Sequence, residues 1–427
     1  NKTRTSFSSP ASGSAVTHPE SSISPYLSTM HSILVLTSTY PRWINDTEPA
    51  FVHSLCRELA QQYSVTVLAP HYPGASRREV LDDVTVIRFR YFLPFGEHLA
   101  YQGGIIENLK RNRFKLLLVP FYLISQFTVF FKLCVRHKFD LIHAHWVIPQ
   151  GLVAVLGRQL FCRKTKILCT SHGGDLFSLE GGFYQAIKRY VFNKCNHVTV
   201  VSRAMKQHLE NMGWNTEHVS VLSMGVDLTT CFIPDSGTSK ETDLVFVGRL
   251  AEKKGVRTLI EAVAYLHDEH PELGLRIVGD GPEKPDLEKL AHELKVDSQI
   301  DFVGAKPNRT IPAFYRSARI VVVPSIVASD GDQEGLGLVA VEALGCGSAT
   351  IVSDLPALRD VVQDGKTGLV FKSGSSQDLG EKIKRLLADD ELLERLARNG
   401  RNHVAGHFDW ARVGNSYAEI IENCITA

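Results

Sequence analysis

Short apolar runs rich in β-branched residues alternate along this chain with helix-length stretches, and the runs fall into two series. The first comprises 32–37, 64–69, 84–89, 140–144, 166–170, 197–201 and 218–222; the second comprises 243–247, 275–278, 300–303, 319–323, 349–352 and 368–371. Near-continuous apolar runs bounded by Gly or Pro are the pattern of parallel strands, which are covered by helices on both faces. Strand alternating with helix predicts two doubly wound α/β sheets. The polar stretch 235–242 between the series has a linker's composition. Beyond the last run, the amphipathic stretch 410–424 predicts a helix that returns to the first domain. The expected architecture is α/β, with two Rossmann-like, doubly wound domains facing across a cleft. Residues 30–234 form the first, 243–405 the second, and 406–427 the returning segment.

Two segments stand outside this pattern. Residues 1–29 hold nine Ser, four Thr and three Pro, and the first Met is Met30. They contain no apolar run long enough for a signal-peptide core, and read as a disordered or non-native leader, with a Ser-rich transit peptide as the alternative. In 109–138, Lys110, Arg111, Arg113 and Lys115 precede an almost wholly apolar run, 116–131, and Lys132, Arg136 and Lys138 follow it. That run contains Pro120 and Gln126 and falls short of the ~20 residues a membrane span needs. It predicts either a helix packed on the first sheet or an interfacial surface with basic flanks, a peripheral membrane contact suited to a lipid-linked acceptor.

Composition narrows the function classes. The 427 residues are 44% hydrophobic and 22% charged, which is ordinary globular usage. Lys+Arg 47 against Asp+Glu 46 gives a net charge of +1 with no basic tail, which argues against a dedicated nucleic-acid binder. Eight Cys are scattered with no CxxC, as expected of a reducing, cytoplasmic setting rather than a zinc ribbon or redox pair.

The most informative chemistry lies in 332–347, DQEGLGLVAVEALGCG. Three readings of it compete. Glu334 and Glu342 form a carboxylate pair eight residues apart, but eight helical residues rise about 12 Å, beyond the ~5–9.5 Å of paired hydrolase carboxyls. Gly335 to Ala340 fits the dinucleotide pattern GxGxxA, with Asp354 near the place of a ribose-binding acid. That motif needs a strand running directly into the glycine turn, whereas the preceding run ends at Pro324. In the third reading, the amides of Gly335, Leu336 and Gly337 at a helix N-terminus meet an anion. Glu334 then holds a sugar hydroxyl and Glu342 accepts from a ribose.

Arg249 and Lys254 strengthen the third reading. They follow a strand run in VGRLAEKKG, at the carboxyl end where doubly wound sheets bind ligands. A guanidinium fork and an ammonium there suit a diphosphate. Gly281, in the turn GDGP, is another strand-to-helix position. In the first half, His143 and His145 lie two apart on one strand and therefore share a face, with His145 nearer the carboxyl end. His172 and Asp175 follow the next strand. A metal would need a third ligand that the sequence does not offer.

Taken in order, IHAHW, SHGGDL, VTVVSRAM, SMGVD, VGRLAEKKG, IVGDGP, VVVPS and the E-x7-E of Glu334 and Glu342 resemble the family-4 retaining glycosyltransferases of group 1 type, with the GT-B fold. The resemblance covers residues 31–422 and implies an acceptor-binding first domain, a nucleotide-sugar-binding second domain, and no metal or other cofactor. It implies that Arg249 and Lys254 neutralise the leaving diphosphate, that Glu334 contacts the transferred sugar and Glu342 the nucleotide ribose. Gly335, Leu336, Gly337 and Gly281 then lie on the donor side, His145 lies beside the sugar, and His172 and Asp175 belong to the acceptor side. Many members carry a Gly-rich loop after the first strand; here 38–50 lacks Gly. A subgroup has a similar YPR…FV pattern, which implies that Arg42 and Asp46 touch the acceptor. The implied activity is retaining transfer of a sugar from a nucleotide diphosphate to a lipid-linked, saccharide or small-molecule acceptor. The alternatives are a GT-B epimerase or phosphorylase, or a binding protein without turnover.

Overall fold

The computed structural model describes residues 30–44, 46, 48–178, 181–235 and 237–427; the leader 1–29 lies outside them. Residues 31–427 form one compact unit containing two sheets.

In the first sheet, β1 (Ser32–Leu36), β2 (Ser64–Pro70), β3 (Arg78–Leu81), β4 (Val84–Phe89), β5 (Leu141–His145), β6 (Lys166–Ser171), β7 (His197–Val200) and β8 (Val219–Val221) lie in the order β3-β4-β2-β1-β5-β6-β7-β8. Every pairing is parallel except that of β3 with β4. The second sheet contains β9 (Thr242–Val247), β10 (Leu275–Val278), β11 (Ile300–Gly304), β12 (Ala318–Val323), β13 (Ala349–Ser353) and β14 (Leu369–Phe371), all parallel, in the order β11-β10-β9-β12-β13-β14. The sequence reading missed β3. Its residues, REVL, are short and partly charged, and its outer edge is unpaired, so no continuous apolar run marks it.

Each sheet has a topological switch point where the winding reverses, between β1 and β5 in the first and between β9 and β12 in the second. The loops leaving the carboxyl ends of these neighbours diverge to opposite faces and open a crevice, where ligands of doubly wound sheets bind.

The helix Trp410–Thr426 packs on the helix Phe51–Leu59 and on β5 and β6 of the first sheet. Asp409 caps it by accepting from the Ala411 amide, and the Tyr63 hydroxyl donates to the Ala418 carbonyl at 3.1 Å. Gly225 is required where Trp410 seats, because a Cβ there would lie 2.6 Å from the indole.

In 109–138, the helix Leu118–Arg136 follows a short helical turn, Arg113–Leu117. Tyr122, Gln126, Phe130 and Leu133 are buried on one side. Tyr122 meets Phe89 and Tyr91 edge-on at 5.0 and 5.2 Å, and Phe130 fits over Gly157. The helix therefore packs on the first sheet, one of the two sequence readings, and its opposite side is exposed and apolar.

Candidate active site

The second switch point gathers the strongest charges. β9 delivers Arg249 into the loop that follows it, and the helical turn Glu252–Lys254 presents Lys254. Gly255 is left-handed, with φ +64, and a Cβ there would lie 1.9 Å from the Pro324 carbonyl oxygen. The loops after β9 and β12 can therefore touch only through a glycine. That contact brings Lys254 Nζ to 2.6 Å from Glu334 Oε2, and Lys253 Nζ to 3.0 Å from Asp332. Burial raises the Glu334 pKa, but the Lys254 and Lys253 charges outweigh it and hold the carboxylate below its ordinary value.

The helix that follows is Leu338–Gly345, capped by left-handed Gly337. It starts later than the sequence reading placed it, because Gly335 to Gly337 form the turn ahead of it. Gly337 lies against Leu358, leaving no room for a side chain. Glu342, on this helix, accepts a hydrogen bond from the buried Tyr315 hydroxyl at 2.8 Å. Burial pushes its pKa up to about 7, against the pull of Tyr315 and Lys254. Gly281 packs behind the site, where a Cβ would lie 2.2 Å from the Leu250 carbonyl. Its lack of a side chain lets the β9 and β10 loops stack.

The first switch point is arranged differently. His145 Nδ1 and His172 Nε2 are 3.0 Å apart, so one ring donates and the other accepts. Burial lowers both pKa values, to about 3 for His172, and both rings are therefore neutral at ordinary pH. The His145 Nε2 atom is buried without a partner. Below it, His143 Nε2 pairs with Thr170 and Thr170 with Thr199, at 2.8 and 2.6 Å. Asp175 is occupied inside the protein: it accepts from the Val147 amide at 2.7 Å, the Ser171 hydroxyl at 2.9 Å and the His172 amide at 3.0 Å. It ties together the loops after β5 and β6.

Arg42 and Asp46 are likewise bound to each other, in a bidentate pair at 2.6 and 2.8 Å. The Arg42 guanidinium also lies over Trp43 and Tyr72, 4.5 Å from each ring centre. Arg42 is only 6% exposed. The loop after β1 is thus held by a buried ion pair and aromatic stacking instead of a glycine turn.

The two halves meet across the cleft. Gly173, with φ +102, and Gly335 are in backbone contact: a Cβ on Gly335 would lie 2.4 Å from the His172 carbonyl oxygen. Arg249 donates to the Gly103 carbonyl at 3.2 Å and faces Glu107 at 3.8 Å. Lys110 pairs with Asp330, and Asn308 donates to the Glu48 carbonyl at 3.2 Å. Glu334 also borders a cavity of about 200 Å³ lined by Phe177, Gln207, His208, Asn211 and Gln333. The sequence reading overlooked these polar residues, since isolated amides on a helix give no motif; their proximity to Glu334 is a tertiary fact. Among the described residues, no group of three or more His, Cys, Asp or Glu side chains is placed to hold a metal ion.

Comparison with known proteins agrees with this architecture. Residues 50–230 match the family model described as Glycosyltransferase Family 4, and residues 233–403 match Glycosyl transferases group 1. A putative colanic acid biosynthesis glycosyltransferase of Salmonella typhimurium is 28% identical over 287 residues, covering 66% of this chain and 70% of that protein. A GDP-mannose-dependent alpha-(1-6)-phosphatidylinositol monomannoside mannosyltransferase of Mycolicibacterium smegmatis is 25% identical, covering 91% of this chain and 98% of that protein. The structure of Anabaena HepE in complex with UDP-glucose superimposes with a TM-score of 0.69 at 18% identity, covering 92% of this chain and 99% of that one. Two doubly wound sheets meeting at their carboxyl edges make the fold GT-B, and with both family models matched in succession the chain belongs to the family-4, group 1 glycosyltransferases.

Proposed function

We propose that this glycosyltransferase uses a nucleotide-diphosphate sugar as donor and transfers the sugar with retention of anomeric configuration. The observation that carries the reading is the cluster at the second switch point, where Arg249, Lys254, Glu334 and the turn Gly335–Gly337 converge opposite His172 and Gly173. A diphosphate leaving group needs counter-charge, and this reading assigns it to Arg249 and Lys254 rather than to a divalent metal. Lys254 exchanges part of its contact with Glu334 for a phosphate oxygen, and Glu334 turns to the sugar hydroxyls. Glu342 holds the ribose. The relatives' names support such a donor, since one is GDP-mannose-dependent and another was solved with UDP-glucose.

In the proposed step, the bond from the anomeric carbon to the diphosphate oxygen breaks while the acceptor oxygen bonds to the same face. The departing phosphate oxygen takes the acceptor's proton. The protein contributes positioning and charge stabilisation. Neutral, buried His145 lies at the first lobe's edge, where it orients the sugar without adding a competing charge. The acceptor enters along the loops after β1, β5 and β6. A saccharide or lipid-linked hydroxyl fits this reading, and the phosphatidylinositol mannoside of the Mycolicibacterium relative's name favours the latter.

The test is turnover of a panel of nucleotide sugars with excess chelator, the product's anomeric configuration being read by NMR. Retained configuration and full activity in chelator are expected. Inversion would remove the same-face step, and loss of activity on chelation would remove the cationic side chains as sole counter-charge.

A further inference from the structure

The helix Leu118–Arg136 carries two apolar stripes. At 100° per residue, the buried Tyr122, Gln126, Phe130 and Leu133 cluster on one side. Leu117, Phe121, Ile124, Thr128, Phe131 and Val135, spaced alternately four and three apart, cluster on the opposite side. This second stripe faces away from the protein: Leu117 is 71% exposed, Ile124 65% and Val135 67%. Neighbouring elements extend it. Phe92 packs edge-on against Phe121 at 5.8 Å and against Phe95 at 6.2 Å, and Phe161, at the end of the helix Leu152–Phe161, meets Phe131 at 4.6 Å. Phe114, just before the helix, is 82% exposed. A continuous apolar surface of this kind marks an interaction site.

Charge identifies the occupant. Arg111, Arg113, Lys132, Arg136 and Lys138, on and flanking the helix, are exposed. None of them has an acidic partner among the described residues. We propose that this face docks on an anionic phospholipid bilayer, with the outward stripe in the acyl-headgroup boundary and the cations on the headgroups. The helical segment Arg113–Arg136 is longer than the apolar run 116–131 that marks it in the sequence, and by length and composition alone it could cross a membrane. It lies flat instead, because its other stripe is committed to β2, β4 and the helix Leu152–Phe161. The cations of the docking surface begin at Arg111, next to Lys110, which bridges the cleft to Asp330. A membrane-held acceptor would therefore stand close to the cleft mouth. That last link rests on the proposed glycosyl transfer; the docking does not.

The experiment is co-sedimentation of the full chain, without donor or acceptor, with phosphatidylcholine vesicles lacking or containing phosphatidylglycerol, at low and high salt. The wild type should pellet with the anionic vesicles and be weakened by salt. The double variant Phe121→Asp/Ile124→Asp should lose at least about tenfold in partitioning. Arg113→Gln/Lys132→Gln/Arg136→Gln should lose roughly fivefold per cation on the anionic vesicles. Melting temperatures and far-ultraviolet circular dichroism near wild type would show that both variants fold. A wild type that stays in the supernatant, or a double variant that binds equally well, would overturn the proposal. So would a concentration-dependent dimer in light scattering that the same double variant dissolves, since the occupant would then be a second copy.

Discussion

The two switch points share one topology and differ in how their polar groups are used. At the β1/β5 crevice nearly every charge is already matched within the same lobe: Arg42 to Asp46, and Asp175 to Val147, Ser171 and His172. At the β9/β12 crevice Lys254 and Glu334 are paired, but the cluster holds more cation than its own lobe matches, and Arg249 finds its partners across the cleft on Gly103 and Glu107. The first crevice is a rigid wall. The second is a charged site whose partners a ligand can replace. The proposed donor, with its anionic diphosphate, belongs on this reading at the second crevice.

The largest effect should come from the wall. Asp46→Ala leaves a buried guanidinium without its partner and should cost about 3–5 kcal/mol in urea unfolding, with donor affinity little changed in the molecules that remain folded. If instead stability held and donor binding collapsed, the two crevices would not divide the work this way.

Next come Glu334→Ala and Lys254→Ala, each expected to lower kcat by about 10²–10³. Circular dichroism should stay native, because both side chains border the cleft. Near-normal turnover in both would move the chemistry elsewhere.

Glu342 sharpens the comparison through pH. Its folded pKa, pushed up to about 7 by burial, exceeds the ordinary value of 4.5. The folded state therefore holds the proton more tightly than the unfolded chain, and this group's contribution to stability is full below pH 4.5 and declines as pH rises to about 7. Ribose binding should strengthen as pH rises through about 7, where the folded-state carboxylate ionises. Thermal melts and donor titrations should thus move in opposite directions, and Glu342→Gln should flatten both.

The smallest effect belongs to Glu107, which faces Arg249 at 3.8 Å on partly exposed side chains. Such a pair is worth about 0.2–1 kcal/mol, so Glu107→Gln should tighten donor binding by at most about fivefold in calorimetry, by removing a competitor for the guanidinium.

The β9/β12 crevice was legible in the sequence, because its chemistry is local. A strand end, two cations and a glycine turn sit within short windows, and charged groups at such a turn have few structural uses. The strands followed from near-continuous apolar runs, and only charged β3 escaped; their order in the sheets came from the structure. The β1/β5 crevice was legible in position but not in its internal pairing. Nothing in residues 38–50 reveals that Arg42 lies over Trp43 and Tyr72 while gripping Asp46, since a partner such as Tyr72, from a separate segment, leaves no periodic trace. The Gly173–Gly335 contact and the cavity beside Glu334 are invisible for the same reason. The helix Leu118–Arg136 shows a further limit: its apolar run read as a single feature, and only packing separates the stripe that builds the core from the one that faces outward.

The most direct measurement of the central claim is isothermal titration calorimetry of UDP, GDP and ADP against the wild type and Arg249→Ala/Lys254→Ala. One nucleoside diphosphate should bind the wild type and lose most of its affinity in the double variant. Undiminished binding in the double variant, or no binding of any of them to the wild type, would contradict the assignment of the β9/β12 crevice as the donor site.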